Sequence, residues 1–248
     1  MRWGRLAVAN HRGVLVPRAL GLLLALAAVA STAVYDLLRE TGGMAWILLI
    51  GTLLVFAAGL VDDLAPQDPR GFRGHLRALA SGRVTTGILK AVVTIGASVV
   101  VVAGHRPGSA WEALAGVVLL AACANVWNGL DVRPGRALKA YVPAGLAFVL
   151  SGDLSDAPFA FGLLFGVLLT LPLDLRETAM LGDGGSNLVG FVAGIGLYLV
   201  LPGWALVIAA TVAVALNAVA ETVTFSRVIE RTGPLRWLDR LWRLPIEE

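Results

Sequence analysis

Along the chain, long runs of apolar residues alternate with short clusters of Arg, Lys, Asp, Gly and Pro. Eight of these runs approach the roughly 20 residues needed to cross the hydrocarbon of a bilayer. They lie near 19–35, 44–61, 84–103, 111–127, 138–151, 158–173, 187–201 and 203–220. The fifth carries Pro143 and the seventh holds Gly190, Gly194 and Gly196, so the ends of both are soft. The pattern predicts an all-α, polytopic transmembrane bundle of about eight helices. Neither a repeat nor a low-complexity linker divides it, so residues 1–248 read as one domain. After the last run, Leu235, Leu238, Leu241 and Trp242 interleave with Arg236, Asp239, Arg240 and Arg243. That spacing predicts a basic amphipathic helix over 234–245, lying in the membrane interface as an anchor.

Composition excludes a soluble domain: 57% of residues are apolar, 15% are charged and the mean hydropathy is +0.79. The net charge of +3 is too small to imply an acidic macromolecular partner, and nucleic acid is not expected. The lipid bilayer is the partner that the composition demands. Cys123 is the single cysteine, sits in an apolar run and reads as a small core residue. With the N-terminus inside, 18 of the 20 Lys and Arg residues fall on the cytoplasmic side, leaving Arg39 and Arg106 outside. The positive-inside rule therefore predicts cytoplasmic N- and C-termini. The first run ends in Ala-Ser-Thr-Ala, as a signal peptide can, but its cleavage would turn the remaining motifs outward. It is expected to stay as a span. The same topology places Asp62, Asp63, Asp131 and Asp183 together on the inner side, although no aspartate entered the count.

Three groups of residues carry candidate chemistry. Asp62 and Asp63 stand where the second span leaves the membrane, facing the negative end of a helix dipole and repelling one another, so a cation should offset them. Mg²⁺ would serve, as would Lys90, an ammonium inside the third span that is costly unless paired or turned to a polar cavity. The alternative is that the aspartates end a helix and Lys90 snorkels. Asn125, Asn128 and Asp131 follow at three-residue spacing near the inner end of the fourth span, on neighbouring positions of one helical face. They could line a polar pocket or hydrogen-bond between helices. Arg133, Pro134, Gly135, Arg136 and Lys139 come next, a rigid turn suited to phosphate or simply solvated positive charge. Last, Gly182-Asp183-Gly184-Gly185-Ser186-Asn187 leads into the seventh span. Glycines let backbone N–H groups crowd an anion, Ser186 can cap the helix, and Asp183 stands where a metal bridging to phosphate would need a carboxylate.

Taken in order, these motifs resemble the polyprenyl-phosphate N-acetylhexosamine-1-phosphate transferases, the family of the peptidoglycan translocase and of the enzymes that begin O-antigen and teichoic-acid linkage units. The basic entry from Asn10 to Gly21, the Asp62-Asp63 pair, Lys90, the Asn125–Asp131 motif and the Gly182–Ser186 motif each have a counterpart in that family. The resemblance implies Mg²⁺-dependent transfer, with Mn²⁺ as a substitute, of a sugar-1-phosphate from a UDP-sugar to polyprenyl phosphate at the inner face of a bacterial cytoplasmic membrane, releasing UMP. By the same resemblance Asp62, Asp63, Asp183 and Lys90 are catalytic, with the three aspartates near the metal. Asn125, Asn128, Asp131, Arg133, Arg136, Gly182, Gly184, Ser186 and Asn187 would bind substrate. The pattern departs from the family where Pro134 replaces a second aspartate, and in lacking a His-rich loop, since the histidines are His11, His75 and His105. A catalytically silent relative that binds polyprenyl phosphate is the alternative, a secondary transporter is a third class, and a homodimer is left open.

Overall fold

The computed structural model describes residues 7–10, 12–39, 42–65, 72–105, 107–151 and 157–243. Its long helices are α1 (Leu20–Arg39), α2 (Gly43–Leu64), α4 (Thr86–His105), α5 (Ala110–Leu130), α7 (Pro158–Leu175), α8 (Gly182–Val200) and α9 (Gly203–Thr222). These seven are long and apolar enough to cross a membrane, and the chain is a multi-pass membrane protein. The fifth expected span is the shorter α6 (Arg136–Ser151), which has 16 residues and Pro143 inside it. The N–H of Gly135, at its start, meets Asp174 at the C-terminal end of α7, so α6 and α7 are antiparallel neighbours.

α8 is the axis of the bundle. It packs against α1, α2, α5 and α6, and nearly all its residues are buried, including Gly182, Gly184, Gly185, Gly190, Gly194 and Gly196. The glycine-rich stretch expected to lead into the seventh span at Asn187 is itself helical: α8 begins at Gly182, so Ser186 lies in its second turn and caps nothing. Packing explains the difference. A Cβ on Gly185 would lie 2.7 Å from the Cα of Gly21 on α1, and one on Gly59 of α2 would lie 2.6 Å from the carbonyl oxygen of Asp183. Backbones this close exclude any side chain, and the van der Waals contact they gain replaces a hydrophobic driving force that lipid does not supply.

Two features escape the apolar periodicity. β1 (Ala7–Ala9) and β2 (Leu15–Pro17) form an antiparallel hairpin before α1, its turn closed by the Asn10 carboxamide oxygen, which accepts from the N–H groups of Arg12 and Val14. Between α2 and α4 lies α3 (Phe72–Ala80), and α10 (Phe225–Arg231) and α11 (Gly233–Arg240) follow α9. α11 covers the helical part of the predicted 234–245 segment; residues 244 and 245 lie outside the described residues.

Candidate functional site

The C-terminal turn of α2, the N-terminal turns of α4 and α8, and the C-terminal end of α5 meet at one end of the bundle. There the Lys90 ammonium lies 2.6 Å from Asp62 Oδ2 and 2.6 Å from Asp183 Oδ2. Thr86, one helical turn before Lys90, donates its hydroxyl to Asp62 Oδ1 at 2.5 Å. Carboxylates from α2 and α8 thus share one cation, and Lys90 does not snorkel. The Lys90 and Asp62 side chains are largely shielded, with 13% and 18% of their surfaces exposed, whereas Asp183 keeps 37% and opens the cluster to solvent.

Asp63 does a different job from its neighbour. Its Oδ1 accepts from Arg18 at 2.9 Å and its Oδ2 from the N–H of Gly184 at 3.0 Å. Arg18 also reaches the Asp63 carbonyl at 3.2 Å. One of the first-turn N–H groups of α8 is therefore spent on a protein carboxylate. Gly182, at φ +73°, has no room for a side chain, because a Cβ there would meet Asp63 Oδ2 at 2.7 Å. Asp63, expected with Asp62 to hold metal or to deprotonate and orient the acceptor phosphate, has both carboxylate oxygens engaged by Arg18 and the Gly184 N–H, since successive residues on a helix point about 100° apart.

Asn187 donates to the Asp183 carbonyl at 2.6 Å, and Ser186 donates to Asn128 Oδ1 at 3.0 Å, tying α8 to α5. Asn125 goes elsewhere: its amide donates to Asn217 of α9 at 2.5 Å, so for this residue the interhelical reading holds. Asp131, just past the end of α5, lines a pocket of about 100 Å³ with Asn10, Arg133, Asp174 and Glu177 among others. Burial, and then the carboxylates of Asp174, Asp183 and Asp63, push the Asp131 carboxyl well above its usual range, against the weaker pull of Arg18.

The predicted phosphate-binding turn splits in two. Arg133 is half-exposed, 4.0 Å from Glu230. Arg136 is 5% exposed and forms a two-point contact with Asp239 at 2.8 and 3.1 Å, with Ser226 accepting from its third nitrogen at 2.9 Å. Its donors are committed to α10 and α11. Arg18, Thr86, Asp174, Glu177 and Asp239 are site or near-site residues that sequence reasoning did not single out. Thr86 had a usable signal, one turn from Lys90, and Asp174 had another, a carboxylate at the edge of an apolar run.

The donors suit Mg²⁺ in a limited sense. Among the described residues, no three His, Cys, Asp or Glu side chains are grouped to hold a metal. Mg²⁺, however, needs only one or two carboxylates when phosphate oxygens and water complete its shell. Lys90 Nζ stands in for such a cation, within contact of one oxygen from each of Asp62 and Asp183. Those two residues would hold the ion. No protein-family model matches this chain, and no curated protein matches it.

Proposed function

We propose that the chain is a phosphosugar transferase that moves a sugar-1-phosphate from a UDP-sugar, most simply a UDP-N-acetylhexosamine, to polyprenyl phosphate at the cytoplasmic face of a bacterial inner membrane. The observation that carries this reading is Lys90 held between Asp62 and Asp183 at one end of the bundle, one carboxylate shielded and the other open to solvent. Two anionic reactants must be aligned there. An oxygen of the lipid phosphate attacks the β-phosphorus of the donor, the bond to the bridging oxygen breaks, and UMP leaves with that oxygen and its charge. Catalysis of such a transfer consists of positioning and charge neutralisation.

In this reading Lys90 neutralises diphosphate charge, and Thr86 fixes the direction of the Asp62 carboxylate. Asp63 is a positioning residue that sets α8 against α2. Ser186 and Asn128 hold the first turns of α8 on α5, and Asp131 lines the pocket beside them. Bound Mg²⁺ would supply further charge neutralisation between the two phosphates. Purified protein should release UMP from a UDP-sugar only when polyprenyl phosphate and Mg²⁺ are both present, and Asp183→Asn should abolish release. No turnover across a broad donor panel, with folded protein, would remove the proposal. A binding-only relative is the second reading, favoured by Arg136, whose donors face Asp239 instead of open space. It is distinguished by lipid-phosphate binding without UMP release.

A further inference from the structure

α11 docks on the protein through one carboxylate and its C-terminal carbonyls, with its apolar side chains left outward. At 100° per residue, Leu235 and Leu238 lie about 60° apart on one side of the helix and Arg236 and Arg240 on the other, with Asp239 beside Leu235; Leu241, Trp242 and Arg243 follow the helix end at Arg240. Asp239 and the C-terminal end of α11 meet the bundle, while Arg236 and Arg240 stay exposed. Asp239 pairs with buried Arg136, and Arg243 reaches both Asp239 at 2.6 Å and the Pro134 carbonyl at 2.9 Å. Lys139 donates to the carbonyls of Leu238, Asp239 and Leu241 at 2.9, 2.7 and 3.2 Å, where the helix ends. No residue of α11 is buried, and Leu235, Leu238, Trp237 and Trp242 are 43, 51, 64 and 72% exposed. Burial of apolar surface normally decides which face of an amphipathic helix is turned inward. Here the ion pairs have decided it, leaving the apolar face for another partner.

We propose that this partner is the surface of an anionic lipid leaflet, with Leu235, Leu238 and Trp242 set into the headgroup boundary and the Asp239–Arg136 clamp fixing how deeply they enter. Three observations favour lipid over another protein or a second copy. α10 starts three residues after α9 ends and packs Phe225 on α5, where a Cβ on Gly129 would meet its ring at 2.8 Å, so α10 and α11 follow directly from the end of the last span. Arg227, Arg231, Arg236 and Arg240 are all exposed on α10 and α11 and give this patch the sign that anionic headgroups attract. Aromatic and aliphatic side chains flanked by arginine are the composition that partitions to the boundary. The clamp ends on Arg136 and Pro134, so the turn beside the Asp131 pocket is held from the membrane surface. This inference needs the chain only to be a membrane protein, and stands whether or not the transferase reading does.

The test uses the full chain in nanodiscs of neutral lipid alone or of neutral lipid mixed with phosphatidylglycerol. Single-cysteine variants L238C and R236C, in a C123A background, carry an environment-sensitive fluorophore. The L238C probe should be quenched by nitroxide placed at the shallow acyl positions and shielded from acrylamide, an uncharged aqueous quencher that the leaflet's charge does not repel. Acrylamide access should fall by about fivefold in the anionic discs relative to neutral ones, the effect of a single arginine drawn to the surface. The R236C probe should stay open to acrylamide in both. If L238C alters folding, L235C on the same side serves instead. An L238C probe as accessible to acrylamide as R236C in both lipids overturns the proposal. So does shielding that persists in detergent and scales with protein concentration, which would assign the face to a second copy.

Discussion

Removing the shared ammonium by Lys90→Met leaves Asp62 and Asp183 facing each other across the space it occupied. The Lys90–Asp62 contact is largely shielded, at 13% and 18% side-chain exposure, and breaking a buried pair from one side costs about 3–5 kcal/mol. The Lys90–Asp183 contact is discounted because Asp183 is 37% exposed, which brings it to the roughly 0–1 kcal/mol of a solvated pair. The total is about 3–6 kcal/mol, and at roughly 2–4 °C per kcal/mol for a chain of this size the melting temperature in detergent should fall by on the order of 10 °C. Thermal unfolding followed by size-exclusion of the surviving monodisperse fraction measures this. Mg²⁺ should then restore part of the loss in the variant, and do so more than it stabilises the parent, because two uncompensated carboxylates now face one cation position. A melting temperature within about 2 °C of the parent, or an equal Mg²⁺ response in both proteins, would show that the Lys90 bridge is not an energetic element of the site.

Gly59→Ala should disrupt the α2–α8 crossing outright, since its Cβ would sit 2.6 Å from the Asp183 carbonyl oxygen; loss of folded yield, with Gly96→Ala as the tolerated control in open space, checks it. Asp131→Asn should raise stability at neutral pH. The folded carboxyl titrates above its unfolded value near 3.9, so the penalty grows as pH climbs from there through the folded value, and the difference between variant and parent should vanish towards pH 4. Asp239 behaves oppositely. Burial works upward on its carboxyl, but hydrogen bonds and charge from Arg136, with Arg243 and Lys139, hold it below the usual range, so α11 docking should survive at neutral pH and fail only as pH drops below about 4. Asn125→Ala should cost about 0.6 kcal/mol of helix association through Asn217 and leave any UMP release intact, whereas Asn128→Ala should lower release; parallel melting and turnover measurements separate the two.

What the chain alone determined is what one-dimensional spacing can encode. Apolar run length set the order of the long helices and seven of the eight expected spans, because the thickness of hydrocarbon admits few solutions. That Asp62, Asp63 and Asp183 gather at one end of the bundle followed from parity, since each crossing reverses the chain. Even the partnership of Lys90 with Asp62 was legible, because a lone ammonium within an apolar run demands a counter-charge. The tertiary structure decided everything that depends on direction. Asp62 and Asp63 are adjacent in sequence, yet a 100° helical step sends one to Lys90 and the other to Arg18 and the Gly184 N–H. Asn125 and Asn128 share a spacing and bond to different helices. Arg136, suited by composition to phosphate, is consumed by Asp239, 103 residues away. Electrostatic and hydrogen-bond energies fall off within a few ångströms and depend on angle, and neither quantity is written in the order of residues until the backbones of α1, α2, α5 and α8 have closed on one another through their glycines and small side chains.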